Sequence, residues 1–311
     1  MALRFSLRQL EYFVTVGEEG SIALAAERLN VSSPSISAAI SRLEAEFGLQ
    51  LFVRKHAHGL SLTQAGRQFL AKAHIVLAEA DGLNRLAGDL SGVVQGPLAV
   101  GCLLTFAQLI LPGLRRQFET LYPAVRIHQF ELHQMEIFNR LQRAEIDIAL
   151  TYDLEIPSSL EFIPLVELAP FALVSAAHPL AHLSAVTVGE LKDHDMVLLD
   201  LPLSSDYFLS FFTQIGAKPK ITERTQDMAV MRSLVANGFG YAIANIRPLS
   251  DRAPDGQPLK FIPLTGNVRQ MKLGLVMAKG AKNVLTVNAF IEHCRQQISE
   301  NRSPGMTGHT A

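Results

Sequence analysis

Residues 21–44 read SIALAAERLNVSSPSISAAISRLE, and the fold of the N-terminal third turns on how they are parsed. Ala25, Ala26 and Leu29 give one short helix a small apolar face that lets a neighbour approach closely. Asn30 tolerates the left-handed backbone that ends a helix. Ser32 or Ser33 then caps a second helix, with Pro34 in its first turn, where a missing N–H costs nothing. Ile36, Ile40, Leu43 and Phe47 fall at i, i+4, i+7 and i+11, a single buried stripe, and Gly48 stops the helix. Two short helices joined by a tight turn, the second with small polar residues outward, describe a helix-turn-helix. Such a unit sends its second helix into the DNA major groove. Two ordinary helices of a globular core would share the pattern.

The flanks sharpen it. Leu7, Leu10, Val14 and Gly17, with Phe13 beside them, predict a preceding amphipathic helix that completes a three-helix unit. After Gly48, residues 51–54, a turn over residues 56–59, and then Leu60 and Leu62 predict a short hairpin, or wing. The run Leu10-Glu11-Tyr12-Phe13, Gly20-Ser21-Ile22, Ala25-Ala26, Ser37, Leu43-Glu44, Phe47-Gly48, Leu51-Phe52-Val53-Arg54 and Leu62-Thr63-x-Ala65-Gly66 resembles the N-terminal signature of LysR-type bacterial transcriptional regulators. That resemblance implies a DNA-binding face made of Ser32, Ser33, Pro34, Ser35, Ser37, Ala38, Ser41, Arg42 and Arg54, with Arg54 and Ser32 on phosphates. Family members often carry Gln at the position of Ser33 and a larger polar or basic residue at that of Ala38. Here Ser35, Ser37, Ser41 and Arg42 are left with more of the base readout. Alanine still meets a thymine methyl, and shape readout fills in.

A chain of 311 residues fits two or three domains, and 48% hydrophobic residues can bury large cores. Two cysteines rule out a disulfide scaffold and suit a reducing cytoplasm. Charged residues recur too soon after Arg4 and Arg8 for a signal peptide. The most apolar stretch, residues 98–114, contains Thr105, Gln108 and Pro112 and is no membrane span. The net charge of −1 announces no nucleic-acid partner. Residues 1–60 set Arg4, Arg8, Arg28, Arg42, Arg54 and Lys55 against Glu11, Glu18, Glu19, Glu27, Glu44 and Glu46. A DNA-binding face of that composition must concentrate its few positive charges and use serine hydroxyls and helix N-terminal amides on phosphates.

Thr63 caps a long helix running to about residue 90. In it Phe69, Ala73, Val76, Ala80, Leu83, Ala87 and Leu90 step by 4, 3, 4, 3, 4 and 3. That period predicts a dimerisation helix, and the alternative is an amphipathic helix lying on its own domain. Gly82, Gly88 and the many alanines weaken it, so other contacts must help hold a dimer. In the LysR-like family this segment is the linker helix, two copies of which present two winged units to an interrupted palindrome.

From Val93 strands and helices alternate: strand 98–101, helix 109–121, strand 125–130, helix 135–144, strand 147–151. That order predicts a parallel sheet with right-handed crossovers. Strands 171–175 and 196–199, helices 204–215 and 228–237 and strand 241–244 repeat it. Strands 261–264 and 271–277 and helix 284–298 close the chain. Gly96-Pro97-Leu98, Gly101, Thr105, Leu111-Pro112, Phe118, Tyr122-Pro123, Asp147, His178-Pro179-Leu180-Ala181 and Gly238-x-Gly240 match the LysR-like sensor domain. The resemblance covers residues 5–298 and implies two lobes, with crossings near residues 165–168 and 262–265. The expected architecture is an N-terminal all-α winged helix-turn-helix (1–66) plus linker helix (67–92), then an α/β two-lobed periplasmic-binding-protein-like domain (93–300). Lobe I takes residues 93–167 and 265–300, lobe II residues 168–264, and residues 301–311 form a disordered tail.

Open α/β sheets bind ligands beyond the carboxyl ends of their strands. Those ends nominate Thr105, Glu131, His133, Thr151, Asp200, Ser204, Ser205 and Asn245 for an effector, with Tyr152 and Asp153 beside them. Thr105 and the Ser204-Ser205 pair fall at predicted helix N-termini, whose free amides suit a carboxylate. Thr105 also matches the Ser/Thr that LysR-like regulators often turn on effectors. No Arg or Lys lies at these strand ends, whereas Glu131, Asp153 and Asp200 do. That disfavours a dianion and favours an effector carrying an amine beside a carboxylate.

No catalytic constellation emerges. A G-x-S-x-G elbow is missing. Gly238-Phe239-Gly240-Tyr241-Ala242-Ile243 is half a dinucleotide fingerprint, and it follows a predicted helix where a strand is needed. Pro179 breaks the helix that would aim His178 and His182 at one metal. No cofactor and no metal are expected. Cys102 and Cys294 keep a redox-sensing regulator of the same family open as an alternative, although packing is the simpler reading of both. A solute-binding protein or an enzyme on the two-lobed fold is the other. The composite expectation is a cytoplasmic homo-oligomer, dimer or tetramer, that binds double-stranded DNA, a small-molecule effector and RNA polymerase, and no membrane.

Overall fold

Serines set the ends of the N-terminal helices. Ser6 opens α1 (Leu7–Glu19) with a capping box: its hydroxyl accepts from the Gln9 N–H, and the Gln9 side chain accepts from the Ser6 N–H. Ser21 caps α2 (Ile22–Leu29), which ends at Asn30 in the left-handed conformation, φ 55°. Ser32, rather than Ser33, caps α3 (Ser33–Phe47), with Pro34 in the first turn and Gly48 ending it at φ 62°. The wing follows as β1 (Phe52–Lys55) antiparallel to β2 (Gly59–Leu62). Thr63 then accepts from the Gly66 N–H at 2.8 Å to start α4 (Gln64–Ser91). Glycine is required there, because a Cβ on Gly66 would stand 2.1 Å from the Leu51 carbonyl oxygen.

The computed structural model describes residues 4–55 and 59–299, apart from the side chains of residues 54, 55, 81 and 84–91. The expected contributions of Arg54, Ala87 and Leu90, most of the wing turn, and the tail 301–311 therefore lie outside the described residues. Contacts divide the chain into one unit that takes the residues up to Ser91 together with Arg143–Glu145, and another that takes the rest from Gly92 on.

In the first unit, Leu10, Phe13, Ile36, Ile40, Leu43, Leu51 and Ala73 are buried in one core. A chain of aromatic contacts ties its elements together: Phe5 to Phe47, Phe47 to Phe69, Phe69 to Phe13 and Phe13 to Phe52, with centroids 4.9–5.4 Å apart. Phe47 departs from the expected buried stripe. It is 39% exposed at the end of α3, where ring contacts on two sides replace full burial.

The second unit runs β3 (Gly96–Leu103), α5 (Leu104–Ala107), α6 (Leu111–Leu121), β4 (Val125–Leu132), α7 (Gln134–Gln142), β5 (Ile148–Tyr152) and β6 (Leu160–Leu168). It continues with β7 (Phe171–Ser175), β8 (Val186–Thr187), α8 (Val188–Leu191), β9 (Asp195–Leu199), α9 (Ser204–Gln214), β10 (Lys220–Thr225) and α10 (Met228–Ala236). β11 (Ala242–Ala244), β12 (Leu259–Thr265), β13 (Met271–Ala278) and α11 (Leu285–Gln297) complete it. The first lobe is a five-stranded sheet in the order β4-β3-β5-β13-β6. The second holds β11-β7-β12-β8, joined to the β10-β9 pair by a parallel bridge between Met196 and Tyr241.

The expectation of a parallel sheet holds for β3 against β4 and β5 and is corrected for β13, which is antiparallel to both β5 and β6. The cause is topological: β6 carries the chain out of the first lobe and β13 brings it back, so the two run in opposite directions. The Gly238-x-Gly240 motif has a packing role. Gly240, at φ 140°, lets Tyr241, just ahead of β11, donate its N–H to the Asp195 carbonyl, and a Cβ on Gly240 would sit 2.2 Å from that oxygen. One apolar cluster spans both lobes, joining Phe106, Leu150 and Phe290 to Phe208 and Phe211. Among the described residues no helix is long and apolar enough to cross a membrane.

Candidate functional site

On α3 the buried side chains Ile36, Ala39, Ile40 and Leu43 leave Pro34, Ser35, Ala38, Ser41 and Arg42 exposed, with Ser33 and Ser37 half-buried. Ser32 is exposed at the N-cap, its Oγ accepting from the Ser35 N–H and lying 2.8 Å from the Ser35 Oγ. Beside this face a groove of about 770 Å³ runs between the start of α1 and α3. Arg4, Ser6, Arg8, Ser35 and Arg42 line it, with one acid, Glu46.

The near-neutral sequence hides this concentration of charge. Arg28 donates to Glu18 and Glu19 at 2.8 and 2.9 Å, and Glu44 accepts from the Leu51 and Phe52 N–H groups at the entry to the wing. Three of the six glutamates are thus engaged away from the groove, and three arginines face one acid within it. Arg4 and Arg8 were missed as site residues. Their signal was present, two arginines four positions apart flanking the residue that caps α1.

The seven-residue stripe on α4 divides. Phe69 and Ala73 are packed into the unit's own core, so for these two the intramolecular reading replaces the dimer seam. Ala80 is half-buried, while Val76 and Leu83 are 41% and 69% exposed.

In the second unit the Tyr152 hydroxyl, at the end of β5, bridges the lobes by donating to Asn245 Oδ1, just after β11, at 2.8 Å. Tyr207 of α9 adds another crossing, donating to the Arg269 carbonyl. Thr105, Ser204 and Asn245 line a cavity beneath the Tyr152 bridge, together with Phe208 and Met228. Its volume is about 20 Å³, room for one water. Burial pushes the Tyr152 phenol well above its usual pKa, so it stays a neutral donor. The Thr105 side chain holds the shift back, although its Oγ makes no hydrogen bond of good geometry.

The structure does not bring the other candidates to this cavity. Ser205 is turned back to the Leu201 carbonyl, and Thr151, next to Tyr152 on the strand, is fully buried outside the lining. Glu131 is exposed and accepts from Gln129, and His133 is half-buried ahead of α7. Asp200 is paired with Arg224 at 2.9 Å and Asp153 with Arg269 at 2.7 Å. Those arginines come from 24 and 116 residues further along the chain. They neutralise two of the three acids on which the amine-bearing effector was argued, and the third, Glu131, lies outside the cavity lining.

β3 and α11 bring Cys102 and Cys294 within electrostatic reach of each other, both fully covered. Burial pushes both thiols up. A peroxide-reactive cysteine needs an accessible thiolate, so the redox alternative loses its chemistry here.

Residues 7–67 match the family model described as bacterial regulatory helix-turn-helix protein, lysR family, and residues 91–299 match the LysR substrate binding domain. The chain is 29% identical over 297 residues to the HTH-type transcriptional regulator YvbU of Bacillus subtilis, covering 94% of this chain and 98% of that protein. Among solved structures it is similar to HinK, a LysR family transcriptional regulator from Pseudomonas aeruginosa, at 34% identity, 94% and 98% coverage and a TM-score of 0.63. It is also similar to CbnR complexed with its target DNA, at 25% identity, 94% and 99% coverage and a TM-score of 0.69.

Proposed function

From the premise that the chain belongs to the LysR family of DNA-binding transcriptional regulators, which are not enzymes, we propose that it is an effector-responsive regulator acting as a homo-oligomer on an interrupted palindrome. Two copies pair through the middle of α4, around Val76, Ala80 and Leu83. Each presents an α3 to a major groove, where Ser35, Ser37, Ala38, Ser41 and Arg42 meet base edges or phosphates, and Ser32, Ser33 and Pro34 bring the helix N-terminus to the backbone. Tetramer formation, contact with RNA polymerase and action in the bacterial cytoplasm belong to the same reading.

The observation that carries it is the groove holding Arg4, Arg8 and Arg42 against a single acid, beside the exposed serine face of α3. A near-neutral unit needs such segregation to hold a polyanion. The small-molecule effector sits between the lobes, under the Tyr152–Asn245 bridge. The closed cavity has room for one water, so a larger effector binds only when the lobes part, and it thereby shifts an existing equilibrium of the regulator. The test is to incubate the full chain with sheared genomic DNA at near-physiological salt and sequence what stays bound. Enrichment of a few intergenic sites sharing an interrupted palindrome supports the proposal. Diffuse, salt-sensitive retention, with and without cell metabolites, contradicts it.

A further inference from the structure

Two polar atoms of the interlobe cavity lack a well-formed hydrogen bond among the described residues. Asn245 is 2% exposed and its Nδ2 has none, and Thr105 is 6% exposed with its Oγ1 beside the Tyr152 hydroxyl but in no hydrogen bond of good geometry. Both side chains line the cavity. Buried polar groups are nearly always satisfied, so two open ones on one small cavity mark where a water, or the ligand group that displaces it, completes them. Asn245 Oδ1 already accepts a hydrogen bond from the Tyr152 hydroxyl, which leaves Nδ2 as a pure donor and assigns the acceptor to the ligand. Ser204 stands at the first turn of the eleven-residue α9, whose N-terminus also favours an acceptor oxygen.

The rest of the wall is apolar: Leu199, Leu201, Phe208, Met228 and Ile246. No charged side chain lines it. The acids nearest along the chain, Asp153 and Asp200, are already held by Arg269 and Arg224. An ionised group placed here would lose its hydration with no opposite charge to replace it, a far larger penalty than for a neutral polar group.

We propose that the cavity selects an uncharged ligand, an apolar body ending in a hydrogen-bond-accepting carbonyl, and that Asn245 and Thr105 read that carbonyl. This rests on the reading of the cavity as the effector site and adds the ligand's chemical class. A carboxamide fits best. Its oxygen accepts from Asn245 Nδ2, and its N–H replaces the Tyr152 hydroxyl on Oδ1 as the bridge opens.

The test is calorimetric titration of the full chain with benzamide, benzoate and benzylammonium, which share a ring and differ in charge. Benzamide is expected to bind at least about tenfold more tightly than either ion, and Asn245→Ala to weaken it by about tenfold. Thr105→Val serves the same purpose should the Asn245 variant fail to melt cooperatively. Benzoate or benzylammonium binding as tightly as benzamide, or no saturable binding of any of the three, overturns the proposal. Failure of the site itself is separable. The chain has no tryptophan, so Met228→Trp both crowds the cavity and supplies a single emission signal for the folded state. Undiminished benzamide binding to that variant places the ligand elsewhere. Lost binding together with a benzoate preference in the parent removes only the charge class.

Discussion

Replacing Arg42 with alanine isolates the electrostatic part of DNA recognition. Arg42 is exposed on α3, lines the groove with Arg4 and Arg8, and has no ion-pair partner among the described residues. Its removal should leave folding stability within about 0.5 kcal/mol of the parent. One phosphate contact per protomer is two per symmetric dimer. Each contributes about 0.9 to the slope of log affinity against log salt, so the slope should become shallower by about 1.8. A charge-assisted hydrogen bond contributes about 1.5–3 kcal/mol. The lower figure taken twice is about 3 kcal/mol, or roughly 150-fold in affinity. The assay is fluorescence anisotropy of a labelled operator over a potassium chloride series, with the loss uniform across operator variants. An unchanged slope and affinity would refute the placement of Arg42 against DNA. A loss confined to one base-pair identity would instead make Arg42 a reader of a guanine edge.

Leu83→Asp should dissociate the oligomer, since this 69%-exposed leucine is offered as part of the α4 seam; sedimentation showing intact dimers would contradict it. Tyr152→Phe removes one bond between the lobes and leaves Asn245 Oδ1 buried without its donor, a loss of about 1–3 kcal/mol. Calorimetry should show the midpoint falling by several degrees, at about 2–4 °C per kcal/mol, and an unchanged midpoint would show the bridge contributes nothing. Burial lowers the pKa of His293, a ring whose Nε2 lies 3.1 Å from the Leu114 carbonyl. The unfolded chain therefore binds the proton more readily. Stability contributed by this histidine is present above its unfolded value of 6.5 and is lost as pH falls through the lower folded value. Urea unfolding at about pH 7.5 and about pH 5.5 should show this loss in the parent and a smaller one in His293→Leu.

Where the chain was legible, single residues carried the signal. Asn30, Pro34 and Gly48 mark helix ends because their backbone preferences act locally, and Ser32 caps α3 through an N–H only three positions away. The strand-end rule likewise reached Thr105, Ser204 and Asn245, three residues of the interlobe cavity. β10 left no such trace. Its residues Lys-Ile-Thr-Glu-Arg-Thr alternate between exposed and half-buried and none is buried, so no apolar face announces the strand. It exists because β9 offers it a parallel edge. Phe69 and Ala73 misled in the opposite sense, since a heptad stripe looks the same whether it faces a second copy or, as here, the protomer's own α1 and α3.

The sequence by itself determined the winged helix-turn-helix, the long helix after it and the alternating elements of the sensor, because caps, breakers and periodicity act between residues a few positions apart. Only the tertiary structure decided where charge resides. Glu18 and Glu19 are taken by Arg28, Asp200 by Arg224 and Asp153 by Arg269, while Arg4, Arg8 and Arg42 are left together in one groove. The lobes also had to close before Tyr152 met Asn245, 93 residues away, and left a neutral cavity with room for one water. Electrostatics and desolvation depend on distances through space, and no local pattern in the chain encodes those.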